Sequence, residues 1–157
     1  MVREAALGPA HADVAASLYS LGGFYNSQGR SVEAEPLLKQ ALTILEKIHG
    51  LEHPQVAIAL GHLGALYGAQ GRYAEAEPLL TRALAIWERA LGSEHRQVAG
   101  TLRRLAKIYE AEGKYSEAER LLARSLAIAG KDLEPSDPRL LTDLDNYAIL
   151  LAPKRYR

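Results

Sequence analysis

Between residues 12 and 28, Val14, Leu18, Leu21 and Tyr25 fall at spacings of 4, 3 and 4, which draws one apolar stripe along a helix. The same stripe returns as Val56, Leu60, Leu63 and Tyr67, and again as Val98, Leu102, Leu105 and Tyr109. A second pattern, Ala34, Leu37, Leu38, Ala41, Leu42 and Ile44, follows the first and also recurs 42 and 84 residues later, with Ser125 in the place of Ala41. These patterns predict first helices near 12–28, 54–70 and 96–112, and second helices near 31–48, 73–91 and 115–130. Gly29, Gly71 and Gly113 separate them, where glycine takes the left-handed conformation that ends a helix. Residues 11–52 and 53–94 agree at 22 of 42 positions, and 53–94 and 95–136 at 20 of 42. A repeat of this length predicts an all-α solenoid, stabilised by each repeat and its neighbours rather than by one central core.

The expected units are 11–52, 53–94 and 95–136. Residues 1–10 read as the remnant of a preceding helix and linker, and 137–157 as a partial fourth unit with a capping helix and tail. Gly22, Gly64 and Ala106 interrupt the first-helix stripe with small side chains. A glycine inside a helix costs about 1 kcal/mol against alanine, so its recurrence predicts close helix approach. Pro36 and Pro78 predict a distorted first turn in two of the second helices. Asp137-Pro138 opens a further helix on which Leu140, Leu144, Tyr147 and Leu151 continue the stripe. That helix also carries Leu141, Ile149 and Leu150, a surface wider than one stripe, which predicts an interface and a homodimer through the C-terminal helix.

Charge narrows the partners. Lys+Arg and Asp+Glu both total 19, so no global field draws in nucleic acid or anionic lipid. No apolar run approaches the roughly 18 residues of a membrane helix, and the first residues lack the apolar core of a signal peptide. A cytoplasmic location is the default expectation. With no cysteine in the chain, disulfides and thiolate metal sites are excluded. His11, His53 and His95 recur at predicted helix starts, which marks them as caps rather than metal ligands. His49 and His53 are four apart, but Gly50 breaks the helix such a ligand pair requires. Gly61, Gly64 and Gly68 lack the strand context of a nucleotide loop and read as packing. Trp87 reads as packing too. No nucleophile motif, metal site or cofactor is expected, and no enzyme.

Taken together, these residues resemble the tetratricopeptide repeat. Counting from Ala15, Leu21, Gly22 and Tyr25 stand at the family's positions 7, 8 and 11, and Ala34 and Ala41 at its 20 and 27. The period and the run Gln-Gly-Arg-Tyr-x-Glu-Ala-Glu-Pro-Leu at 70–79 are similar to the kinesin-light-chain type. The resemblance covers about residues 11–151 and implies a right-handed superhelix whose concave groove, lined by the first helices, binds a protein or peptide partner.

Within those helices, positions 5, 9 and 12 differ between repeats: Tyr19/Gly23/Asn26, then Gly61/Ala65/Gly68, then Arg103/Lys107/Glu110. Their spacing puts each trio on one helical face, which the resemblance assigns to the groove. Chaperone-tail binders of this fold hold a carboxylate with residues whose places here are taken by Tyr19, Gly23, His62, Gly100 and Arg104, of which only Arg104 fits. The Asn-Asn pair usual in kinesin-light-chain-like repeats survives here only as Asn146. The expectation is a non-catalytic module binding an acidic peptide, with Arg103, Lys107 and Arg104 meeting its carboxylates and Tyr19 offering an aromatic contact. Arg103 and Lys107 lie outside the packing stripe, so reversing their charges is expected to spare the helices. The alternative is a scaffold or self-assembly element acting through apolar solenoid ends.

Overall fold

A computed structural model describes residues 11–155 of the chain. The expected remnant over 1–10, the side chain of Leu150 and the last two residues lie outside that description. Among the described residues seven helices follow one another: α1 (Ala12–Ser27), α2 (Ser31–His49), α3 (Pro54–Ala69), α4 (Tyr73–Leu91), α5 (Arg96–Ala111), α6 (Tyr115–Asp132) and α7 (Pro138–Arg155). Among the described residues there is no strand. The chain divides into two compact units, Met1–Ile86 and Trp87–Arg157, with the boundary inside α4.

Each first helix starts the same way. The Nδ1 atoms of His11, His53 and His95 accept hydrogen bonds from the backbone N–H groups of Asp13, Gln55 and Gln97, at 3.1, 3.2 and 3.1 Å. They satisfy donors that a helix N-terminus leaves unpaired. At the equivalent place before α7, the Asp137 carboxylate accepts from the Arg139 N–H at 2.8 Å. That pairing, led by the Arg139 guanidinium and the same N–H, lowers the Asp137 pKa to about 2. The helix pairs turn at Gly29, Gly71 and Gly113, with φ of +74°, +74° and +78°. Over the tyrosine that precedes each turn sits the cation that follows it: Arg30 on Tyr25 at 4.4 Å, Arg72 on Tyr67 at 3.9 Å and Lys114 on Tyr109 at 5.3 Å.

In the Met1–Ile86 unit, α1 packs on α2, and α3 packs on α2 and α1. A Cβ placed on Gly22 would stand 2.7 Å from the Leu38 side chain, and one on Gly64 2.7 Å from Leu80. The glycines are therefore required by the approach of α2 to α1 and of α4 to α3. The stripe Val56, Leu60, Leu63 and Tyr67 is buried in α3. In α1, Leu21 is 42% exposed, because among the described residues no helix precedes α1 to cover it. Pro36 and Pro78 lie inside continuous helices, so the distorted turn expected of them does not interrupt either helix. Arg82 braces α4 to α2 through Glu46 at 2.6 Å and the Leu51 carbonyl at 2.7 Å. Glu35 gathers Lys39, Arg72 and the Tyr67 hydroxyl at 2.7, 3.0 and 3.1 Å. Led by Lys39, these partners hold its carboxyl below the ordinary glutamate range.

In the Trp87–Arg157 unit, α5 packs on α6 and α6 on α7. Here Ala106 takes the glycine's place and packs with Ala118 and Leu122, against which Tyr109, Leu121 and Tyr147 lean. Ser125 is buried, and its hydroxyl donates to the Ala99 carbonyl at 2.9 Å. The brace of the first unit recurs 42 residues on, with Arg124 on Glu88 at 2.5 Å and on the Ser93 carbonyl at 3.4 Å. Leu144 is 45% exposed, and Asp143, at 2%, is buried in its stead. Leu60 and Leu102 at the equivalent position are each followed by a second helix, whereas none follows α7 among the described residues.

The glycine contacts make a direct prediction. Gly64→Ala improves intrinsic helix propensity yet drives a methyl into Leu80, so it should destabilise the protein by about 1–3 kcal/mol. Urea denaturation of that variant beside Gly64→Ala with Leu80→Ala checks it, because the shorter partner should recover part of the loss.

Candidate functional site

The expected binding residues fall in both units. On α1 and α3, Tyr19 and His62 stack, with ring centroids 5.7 Å apart and planes inclined by 17°. Gly23 sits beneath the same imidazole, where a Cβ would approach Nδ1 to 3.2 Å. Asn26, Ala65 and Gly68 are half-buried and Gly61 is buried. The open, bare surface expected at Gly61 is therefore not open. One face of the Tyr19 ring, expected to meet a ligand, is taken by His62.

In the second unit the expected cations separate into two kinds. Arg103 is not free: its Nη1 lies 2.9 Å from both carboxylate oxygens of the buried Asp143. It thereby ties α5 to α7, and the expectation that it lies outside the packing is corrected. A buried carboxylate demands a counter-charge, and Arg103 supplies it. Arg104 and Lys107 are exposed, and neither has an ion-pair partner among the described residues. Partial desolvation and then the neighbouring Arg103 charge hold the Arg104 pKa below its ordinary value. Glu110 and Asn146 are half-buried.

Around Arg103 and Arg104 the unit opens a cleft of about 590 Å³. From α5 it is lined by Arg96, Gln97, Ala99, Gly100, Thr101, Arg103 and Arg104. Ile128, Ala129 and Leu133 come from the end of α6 and just beyond it, and Arg139 and Asp143 from α7. Four arginines and one aspartate thus line one space. Lys107, Glu110 and Asn146 are not part of this lining. Sequence reasoning missed Arg96, Arg139 and Asp143. A signal for Asp143 existed, because its repeat position holds Ala59 and Thr101 in the preceding units, both buried. The chain carries no group of three or more His, Cys, Asp or Glu able to hold a metal among the described residues.

Arg103→Met should strand the Asp143 carboxylate. Breaking a buried pair costs about 3–5 kcal/mol, and half-exposure of the arginine reduces this to about 2–3 kcal/mol. Adding Asp143→Ala, the residue that stands at Ala59, should restore most of the stability. Denaturant melts of the single and double variants check the coupling.

A family model described as tetratricopeptide repeat matches residues 13–89 and 55–131. A solved structure of nearly identical TPR-like repeats from a putative kinesin light chain of Podosopora anserina is similar at 32% identity, with a TM-score of 0.82. It covers 90% of this chain and 67% of that one. BtubC (BKLC) from P. vanneervenii shares the fold at 23% identity and a TM-score of 0.79, over 88% of this chain and 55% of that one. The N-terminal domain of stress-induced protein-1 from C. elegans shares it at 17% identity and a TM-score of 0.61, over 87% and 96%. No curated protein matches the sequence.

Proposed function

Because the chain belongs to the tetratricopeptide-repeat family, and within it to the kinesin-light-chain-like type, we propose that it is a non-catalytic interaction module that binds an acidic peptide segment of a protein partner. The fold is one that mediates protein–protein contact. What supports the acidic character is the set of cations on α5. Elsewhere Arg72, Arg82, Arg124 and Lys131 each meet a carboxylate of the same chain. Arg96, Arg104 and Lys107 are exposed and meet none among the described residues. Charged groups at a protein surface without internal partners are available to an external one, and each charge-assisted hydrogen bond contributes about 1.5–3 kcal/mol, less where water screens it.

An acidic peptide should therefore bind more tightly than a basic one of equal length, and added salt should weaken it. Lys107→Glu tests the reading without touching the Arg103–Asp143 pair: peptide affinity should fall while helicity stays unchanged by circular dichroism. An acidic peptide library without a binder overturns it.

A second reading, self-assembly, has its own observation. Leu141, Leu144 and Ile149 are 46%, 45% and 63% exposed on α7. An apolar surface of this kind favours pairing with a second copy. Light scattering across a concentration series should show dimer, and Leu144→Glu with Ile149→Glu should return it to monomer. A strict monomer at high concentration removes this reading.

A further inference from the structure

The cleft between α5, α6 and α7 carries more information than its charge. Of its four arginines, Arg103 is held by Asp143 and Arg139 by Asp137, whose carboxylate lies 2.8 Å from its Nη2. Arg96 and Arg104 have no carboxylate partner among the described residues. They stand eight residues apart on α5, two turns or about 12 Å along the axis, and Gly100 lies midway between them on the same face.

Gly100 differs from Gly22 and Gly64. A Cβ there would meet nothing within 4 Å, so no packing requires the glycine. It costs the helix about 1 kcal/mol in propensity and returns only open space between two unpartnered guanidinium groups. Ile128, Ala129 and Leu133 give the same space an apolar wall. At about 590 Å³ the cleft lies within the range of roughly 300–1,000 Å³ that ligand sites occupy, and far exceeds what a lone ion fills.

Resting on the peptide-binding reading above, we propose that this cleft is the anchor of the module, in which Arg96 and Arg104 grip a doubly charged group on the partner's peptide, seated over Gly100. Two sources supply that chemistry: a pair of adjacent acidic side chains, or one phosphorylated side chain. Arginine suits both, because its planar fork donates two parallel hydrogen bonds to carboxylate or phosphate. Arg103 and Arg139, already neutralised within the chain, position the walls. Desolvation and the Arg103 charge both disfavour the Arg104 cation, and a bound anion offsets both.

The test uses the intact chain and three labelled short peptides of one backbone sequence, carrying two adjacent glutamates, one phosphoserine, or two glutamines. Binding is read by fluorescence polarisation at low and physiological ionic strength. One or both anionic peptides should bind, and the glutamine peptide should not. The tighter of the two anionic peptides identifies the source. Arg96→Gln and Arg104→Gln should each weaken binding by about tenfold or more and reduce its salt dependence. Gly100→Leu should abolish binding while the melting temperature stays equal or rises, a combination that a disrupted fold does not produce. If the parent binds an anionic peptide and all three variants bind it equally well, the cleft is not the anchor and the broader reading stands. If the parent binds neither anionic peptide, both fall. Equal binding of the glutamine peptide also overturns the proposal.

Discussion

The contact between a residue with little or no side chain and a leucine on the next helix governs how each helix pair closes. Gly22 on Leu38 and Gly64 on Leu80 leave no room for a Cβ, while Ala106 beside Leu122 accepts one. Helices that approach this closely bring their small residues into the interface, and Ala34, Ala41, Ala76, Ala83 and Ala118 are all fully buried. Close packing of this kind gains dispersion energy over many short contacts and tolerates little change in volume. The helix caps, the glycine turns and the tyrosine–cation contacts then repeat at the same spacing because the pair they frame repeats.

Electrostatics is arranged around that packing in two ways. Pairs such as Arg82–Glu46 and Arg124–Glu88 recur at the period of the chain and lie at half-exposed edges, where each is worth about 0–1 kcal/mol. They set register more than stability. Arg103–Asp143 has no counterpart in the other repeats. Where the preceding units carry the small side chains of Ala59 and Thr101, this one carries the buried Asp143 paired with a part-exposed Arg103, so charge ties α7 to α5. The same substitution draws Arg103 to the edge of the cleft and leaves Arg96 and Arg104 there without a carboxylate partner among the described residues.

Much of the fold was legible because its determinants are local or periodic. A histidine that caps a helix acts on a backbone N–H two residues away, and a glycine with positive φ acts on its own backbone. The 42-residue repeat needed only comparison of the chain with itself. Burial at the ends was less legible. Leu21 and Leu144 belong to the stripe by spacing, yet each is exposed, since burial depends on a neighbouring helix and not on the residue.

The sequence by itself determined the helices, their caps and turns, the family, and the three small residues at the helix crossings, since each follows from residue type at fixed spacing. Tertiary structure alone decided which cations are free. Arg103 and Arg104 are adjacent in sequence and equal in chemistry, but a carboxylate 40 residues away neutralises one and not the other. It likewise brought Arg96, Gly100, Arg104 and Arg139 to one cleft, and closed Tyr19 against His62. A side chain's partner is set by distance in space, which spacing along one helix does not encode.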